Sequence, residues 1–278
     1  MEHFFVRRGR RLGEQEFCSH LEYGSDLADL LSRGLRFGAV IDEALARERA
    51  SQTPRRYLGA SRLGVACERA LQYEYAQAPV DPGRELPGRV LRVFEVGHAL
   101  EDLAIRWLRL AGFELYTRKA DGGQFGFSVA GGRIQGHVDG ILAAGPADIE
   151  LDFSMRWPAL WECKTMNDRA WRETVKHGVA RAKPVYAAQL AVYQAYMEGT
   201  VPGIASNPAL FTAINKDSEE IWFELVPFDG GLAQRMSDRA VRVITATEAG
   251  ELLPRHATTP THFECKSCPW QDRCWRPA

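Results

Sequence analysis

The sequence predicts an α/β protein with a helical N-terminal part and a C-terminal cysteine-rich metal clasp, and three observations carry that expectation. From residue 89 to residue 230, helical and strand-like patterns succeed one another as helix, strands, helix, strands. The part before residue 89 carries helical patterns and loops. Of the six cysteines, three crowd into the last fourteen residues, which in a reducing compartment points to metal. With 278 residues and 45% apolar content, the chain can bury one substantial core. The expected divisions are 1–88, a helical region; 89–230, the core; and 231–278, a helix with the cysteine-rich tail.

Residues 24 to 50, GSDLADLLSRGLRFGAVIDEALARERA, set apolar side chains at helical spacing behind a Ser/Asp start and predict one or two amphipathic helices. SQTPRR follows as a linker. In SRLGVACERALQYEYA a helix is expected to open at Ser61 and to hold Cys67 in its first turns, with the Pro/Gly-rich APVDPGRELPG after it as a loop. Residues 89 to 111, RVLRVFEVGHALEDLAIRWLRLA, form the strongest helical pattern; Gly112 closes it as a C-cap, and His98 and Glu101 sit one turn apart on it. GFSVAGGRIQGHVDGILAA predicts two β segments around a Gly-Gly turn, the second carrying Asp139. PALWECKTMN predicts a short strand. DRAWRETVKHGVARA and PVYAAQLAVYQAYMEG predict two helices separated by Pro184, PALFTAINKD and EEIWFELVPF two strands, and residues 231 to 250 a helix leading into the tail.

Thirty-five basic against thirty-six acidic residues give a formal charge of -1, so no global positive field draws the protein to a polyanion and such contact must be local. Local basic clusters exist, at Arg7, Arg8, Arg10 and Arg11 and again at Arg169, Arg172, Lys176, Arg181 and Lys183. No stretch is apolar enough to cross a bilayer, and MEHFFVRRGRRLGEQ lacks the apolar run of a secretory signal, so a cytoplasmic protein without membrane contact is expected. No G-x-x-x-x-G-K-[ST] loop is present in the sequence.

The chemistry concentrates in WECKT. On a strand successive side chains alternate faces, so Glu162 and Lys164 share one surface while Cys163 takes the other. If the neighbouring strand brings Asp139 alongside, two carboxylates and a lysine converge where a divalent cation could bridge them to a phosphate, and such hard oxygen donors suit Mg²⁺ or Mn²⁺. Phosphodiester hydrolysis needs a neutralised phosphate and a water made nucleophilic near neutral pH, which a carboxylate-held metal supplies. Lys164 would orient or deprotonate that water. Taken alone, a Glu-x-Lys pair is also what a surface ion pair on an edge strand looks like.

Together the motifs resemble the PD-(D/E)XK nuclease superfamily. Asp139 in GHVDG is followed about twenty residues on by Glu162-Cys163-Lys164; Gln189 and Tyr193 in QLAVY are similar to the Gln-x-x-x-Tyr motif of RecB-like nucleases; and His98 in VGHALED matches the histidine such enzymes use as an additional metal ligand. Val138 stands where the superfamily's name has proline, as in many RecB-like members. The resemblance implies a restriction-endonuclease-like core, a mixed central sheet flanked by helices. It implies catalytic roles for Asp139, Glu162, Lys164, Gln189 and Tyr193, and a metal held by His98, Asp139, Glu162 and the main-chain carbonyl of Cys163. The implied activity is DNA hydrolysis leaving 5′-phosphates, with an exonuclease acting on single strands or ends as the favoured form. A helicase or a recombination or CRISPR partner would act in trans.

The tail reads Cys265-x2-Cys268-x5-Cys274, with Cys67 far upstream. The C-x2-C spacing lets two thiolates hold one site, and a ligand from a distant helix would tie the chain's beginning to its end. This layout is similar to iron-sulfur nucleases of the AddB type and to CRISPR-associated RecB-like exonucleases, which implies that Cys67, Cys265, Cys268 and Cys274 hold a [4Fe-4S] cluster. Zn²⁺ is the alternative, with His262 completing a Cys3His set. Cys18 is left as a free thiol. Two rival readings are a nuclease-fold DNA-binding module without catalysis and a zinc-stabilised nucleic-acid adaptor.

Overall fold

The computed structural model describes residues 5–7, 10–12, 27–146 and 155–276; Cys18 lies outside them. The chain divides into two compact units, Met1–Gln52 with Pro87–Leu91, and Thr53–Leu86 with Arg92–Ala278. In the first unit β1 (Phe5–Arg7) and β2 (Arg10–Leu12) pair antiparallel. The helical pattern of residues 24 to 50 becomes one helix, α1 (Leu27–Ser51), and its Leu35, Phe37, Val40 and Ile41 side chains are exposed.

The second unit is built on a five-stranded sheet of order β10-β9-β8-β7-β4. Its strands are β4 (Glu114–Tyr116), β7 (Gly140–Ala144), β8 (Ala159–Met166), β9 (Ala209–Asn215) and β10 (Ile221–Val226). β8 runs parallel to β9, and every other neighbouring pair is antiparallel. A second sheet has β6 (Ile134–His137) between β3 (Leu58–Gly59) and β5 (Gly126–Val129). The helices are α2 (Glu68–Tyr75), α3 (Gly88–Leu110), α4 (Asp168–His177), α5 (Val179–Ala182), α6 (Pro184–Met197), α7 (Gly230–Glu248), α8 (Phe263–Lys266) and α9 (Gln271–Trp275). A mixed central sheet flanked by helices is the expected architecture, observed. Among the described residues no helix is long and apolar enough to cross a membrane.

Period-two alternation along β8 and β9 sorts the core into two faces. Leu160 and Met166 with Ala209, Phe211 and Ala213 pack against Leu190, Val192 and Met197 of α6 and Val243 of α7. Trp161 and Cys163 with Leu210 and Ile214 pack against Ala104 and Leu108 of α3. The end of α3 matches its expectation: Gly112 has φ +88, and the amides of Gly112 and Phe113 donate to the carbonyls of Arg109 and Leu108 at 3.1 and 3.0 Å, closing a Schellman turn.

Three local expectations are corrected. The segment opening at Ser61 is not yet helix: Ala60–Arg62 is a 3-10 turn and α2 starts only at Glu68, leaving Cys67 as its extended N-cap residue. Tertiary contact overrides the helical pattern there, because a side chain at Gly64 would stand 2.7 Å from Val185 Cα at the start of α6. Asp139 is not on a strand. β6 ends at His137 and β7 begins at Gly140, so Val138 and Asp139 form the step by which the chain leaves one sheet for the other. The helix expected over residues 168 to 182 breaks at Gly178, with φ +72, where the Glu224 carboxylate accepts the Val179 amide at 2.9 and 3.1 Å. The short strands β3 and β4 were not expected.

The C-terminal tail is fastened by polar contacts from the region around α2. Asp81, 2% exposed, accepts the amides of Asp272 and Arg273 at 2.7 and 3.1 Å. Trp270 donates its indole N–H to the Ala78 carbonyl at 2.9 Å. Gln72 donates to the Glu251 carbonyl at 2.7 Å and accepts the Leu253 amide at 2.6 Å.

Candidate active site

β7 pairs with β8 only over Ala159–Trp161. Beyond Trp161 that edge of β8 has no strand beside it, and its amides need another acceptor. The Asp139 carboxylate supplies one: its Oδ2 accepts the Cys163 amide at 2.9 Å. The step between the sheets therefore sets Asp139 beside the Glu-x-Lys segment, although it comes from an irregular stretch and not from a paired strand.

Three oxygens then surround one ammonium. Lys164 Nζ forms a close ion pair with Glu162 Oε1, donates to the Cys163 carbonyl at 3.2 Å and lies 3.8 Å from Asp139 Oδ2. Glu162 is fully buried. Gln189 of α6 donates its side-chain amide to Glu162 Oε1, whereas Glu162 Oε2 is buried without a hydrogen-bond partner. An unpartnered buried carboxylate oxygen is costly unless another group completes its shell.

The charges respond accordingly. Burial, and then the Asp139 carboxylate, push Glu162 up to about 8. Burial works against the Lys164 ammonium, but Glu162 and Asp139 outweigh it and hold its pKa above the usual lysine value. Glu101 of α3 belongs to the same field: half-buried, it is raised to about 7 by desolvation and then by Asp139. Three carboxyl groups thus face one ammonium, and a bound cation would favour their ionised forms.

The sequence-predicted residues Asp139, Glu162, Cys163, Lys164 and Gln189 come together. Tyr193, one turn beyond Gln189, is buried; its ring meets Phe127 edge-on at 5.5 Å, and burial followed by Glu162 raises its phenol. His98 is not joined to them: it is exposed and, among the described residues, no hydrogen bond or ion pair links it to the carboxylates. Glu101, three residues on, is the group on that helix that senses Asp139 and Lys164. Sequence reading missed its importance, and the available signal was its place one turn from His98 on the same helix face.

The four cysteines named from the tail pattern also converge. Cys67, Cys265, Cys268 and Cys274 line one cavity of about 310 Å³. Arg69 donates to Cys274 Sγ at 3.8 Å. Burial raises the thiols of Cys265 and Cys268. No three of these sulfurs lie within 4.8 Å of one another; among the described residues the set that does meet that spacing is His256, His262 and Glu264.

The family model described as the PD-(D/E)XK nuclease superfamily matches residues 3–275. No curated protein matches the sequence. Among solved structures, an alkaline exonuclease (LHK-Exo) from Laribacter hongkongensis is similar at 15% identity over 70% of this chain and 89% of that one, with a TM-score of 0.45. LHK-Exo in complex with dAMP gives 16% identity, the same coverage and a TM-score of 0.43. A protein titled SSO0001 gives 15% identity over 88% of this chain and 97% of its own, with a TM-score of 0.43.

Proposed function

The chain belongs to the PD-(D/E)XK nuclease superfamily, and from that membership we propose that it is a deoxyribonuclease dependent on Mg²⁺ or Mn²⁺, acting as an exonuclease on single strands or DNA ends and leaving 5′-phosphates. The observation that carries the reading is the convergence of Asp139, Glu162 and the Cys163 carbonyl on one point, now held by Lys164 Nζ. The donor set fits a hard divalent cation: two carboxylates, a main-chain carbonyl and a buried Glu162 Oε2 lacking a partner. When bound, the cation supplies charge neutralisation at the scissile phosphate and acidifies a water.

The chain's own residues do the rest. Asp139 is held in place by the Cys163 amide, and Glu162 by Gln189. Lys164, freed from the carboxylates, presents its N–H groups to the phosphate oxygens or to the attacking water. Tyr193 buttresses Gln189 and the β5–β6 hairpin. His98 is exposed, so a role as metal ligand would require it to turn inward; Glu101 is better placed by its electrostatic coupling to Asp139. A helicase or a recombination partner in trans would supply processive movement.

We further read Cys67, Cys265, Cys268 and Cys274 as the holders of a [4Fe-4S] cluster. Four thiols lining one cavity suit it, as does the Arg69 guanidinium donating to Cys274. A single Zn²⁺ with Zn–S bonds of about 2.3 Å needs all its sulfurs within roughly 4 Å of one another, closer than three of these come. The cluster would hold the tail against α2 and has no part in hydrolysis.

End-labelled single- and double-stranded DNA, incubated with Mg²⁺, Mn²⁺ or chelator, tests the reading. Metal-dependent cleavage is expected, and Lys164→Ala should lower its rate by about 10²-fold or more while gel-shift binding persists. Binding by the intact protein without cleavage under either metal would remove the enzyme and leave a DNA-binding module.

A further inference from the structure

Between α7 and α9 the structure brings together a second group of ligating side chains, of which His256 and Glu264 also line the cysteine cavity. His256 lies in the segment after α7, His262 is the N-cap residue of α8, and Glu264 stands in the first turn of α8. One ligand atom from each lies within 4.8 Å of the other two. The rings of His256 and His262 meet edge-on, 5.6 Å between centroids, and His262 also leans on Phe263 at 4.6 Å. The two imidazoles are thereby limited in how far they can rotate apart.

The hydrogen bonding within this group is incomplete. His262 Nδ1 is buried and has no hydrogen-bond partner, and Glu264 Oε2 is likewise buried and unpartnered. Glu264 Oε2 lies 2.9 Å from His256 Nε2, yet the two lack hydrogen-bond alignment. Close approach with misdirected lone pairs is what ligands of a common ion show, since each points at the ion and not at its neighbour. An ordinary ion pair would satisfy the oxygen, and it would leave the second histidine out.

We propose that His256, His262 and Glu264, which share no ligand with the cysteines, form a divalent-metal site that takes one Zn²⁺. Two imidazoles and one carboxylate are a zinc donor set, with the fourth position left to water. The two nitrogen donors disfavour Mg²⁺ and Ca²⁺, which prefer oxygen throughout. A neutral His pair with one carboxylate also leaves the bound ion with a net positive charge, so the site does not repel the thiols nearby. The ion closes the ATTPT loop between His256 and His262 and fixes the first turn of α8. Glu264 immediately precedes Cys265, so the site orients the first cysteine of the tail without sharing a ligand with it. The proposal does not rest on the nuclease reading.

Metal content of the intact, full-length protein tests it. After equilibration with Zn²⁺ and removal of free ion, elemental analysis should find one zinc per chain that is missing from a His256→Ala/His262→Ala variant and retained in Cys268→Ser. Glu264→Gln, a smaller change, should weaken Zn²⁺ binding by at least about tenfold, the scale that even indirect partners of a ligand command. Co²⁺ loaded at one equivalent should show weak visible d–d bands without thiolate-to-cobalt charge transfer in the near ultraviolet. Circular dichroism of each variant establishes that it folds. Unchanged zinc content in the folded double histidine variant or in the folded Glu264→Gln variant, or a strong charge-transfer band that disappears in Cys268→Ser, would overturn the site.

Discussion

At the scale of single residues, Glu162 is a fully buried acid whose proton is held up to about 8 by burial and by Asp139. Between its ordinary 4.5 and that value, the folded chain keeps a proton that the unfolded chain releases, so raising the pH through this window costs stability. Glu101, raised to about 7, acts in the same direction. Metal-free protein should therefore lose melting temperature steadily from pH 5 to pH 8, and Glu162→Gln should flatten that slope while leaving the Glu101 part. Thermal unfolding across this range checks it, and an equal slope in both proteins would remove Glu162 as the cause. The shared face of Glu162 and Lys164 was legible in the sequence because strand periodicity fixes it, and Gln189 was legible through its resemblance to the Gln-x-x-x-Tyr motif. Glu101 was not, since its raised pKa arises from Asp139 and from burial, neither of which a helical pattern contains.

At the scale of elements, the strands β8, β9 and β10 were legible as alternating runs, and α3 and α7 as helical ones. The breaks were hidden because each is imposed by a partner far along the chain. Gly178 turns where Glu224 of β10 takes the Val179 amide, and the stretch at Gly64 packs closely on Val185 of α6. Gly136 in GHVDG shows what such a contact requires. A β-carbon there would lie 2.5 Å from Phe127 Cζ and 2.9 Å from Tyr193 Cε1, so two aromatic rings occupy the space of its missing side chain. Gly136→Ala should destabilise the protein by about 1–3 kcal/mol through overpacking, read as a lower urea midpoint. Displacement of Tyr193 should also reduce DNA cleavage, whereas an unchanged midpoint would show that the rings can give way.

Across the whole molecule, the cysteine tail was legible as a pattern, but its attachment was not. Asp81, Gln72 and Trp270 fasten it through backbone amides and carbonyls, partners that carry no residue-type signature. Asp81→Ala leaves two partly buried amides of α9 without their acceptor and should cost about 1–3 kcal/mol. Limited proteolysis should then cut between residues 249 and 262 sooner than in the parent protein while the sheet stays protected; an unaltered digestion pattern would mean that the cysteines alone hold the tail. Asp139 sits on the two-residue step between two hydrogen-bonded ladders, so its carboxylate takes its coordinates from both. The spacing between Asp139 and Glu162 therefore depends on how the two sheets are seated against each other.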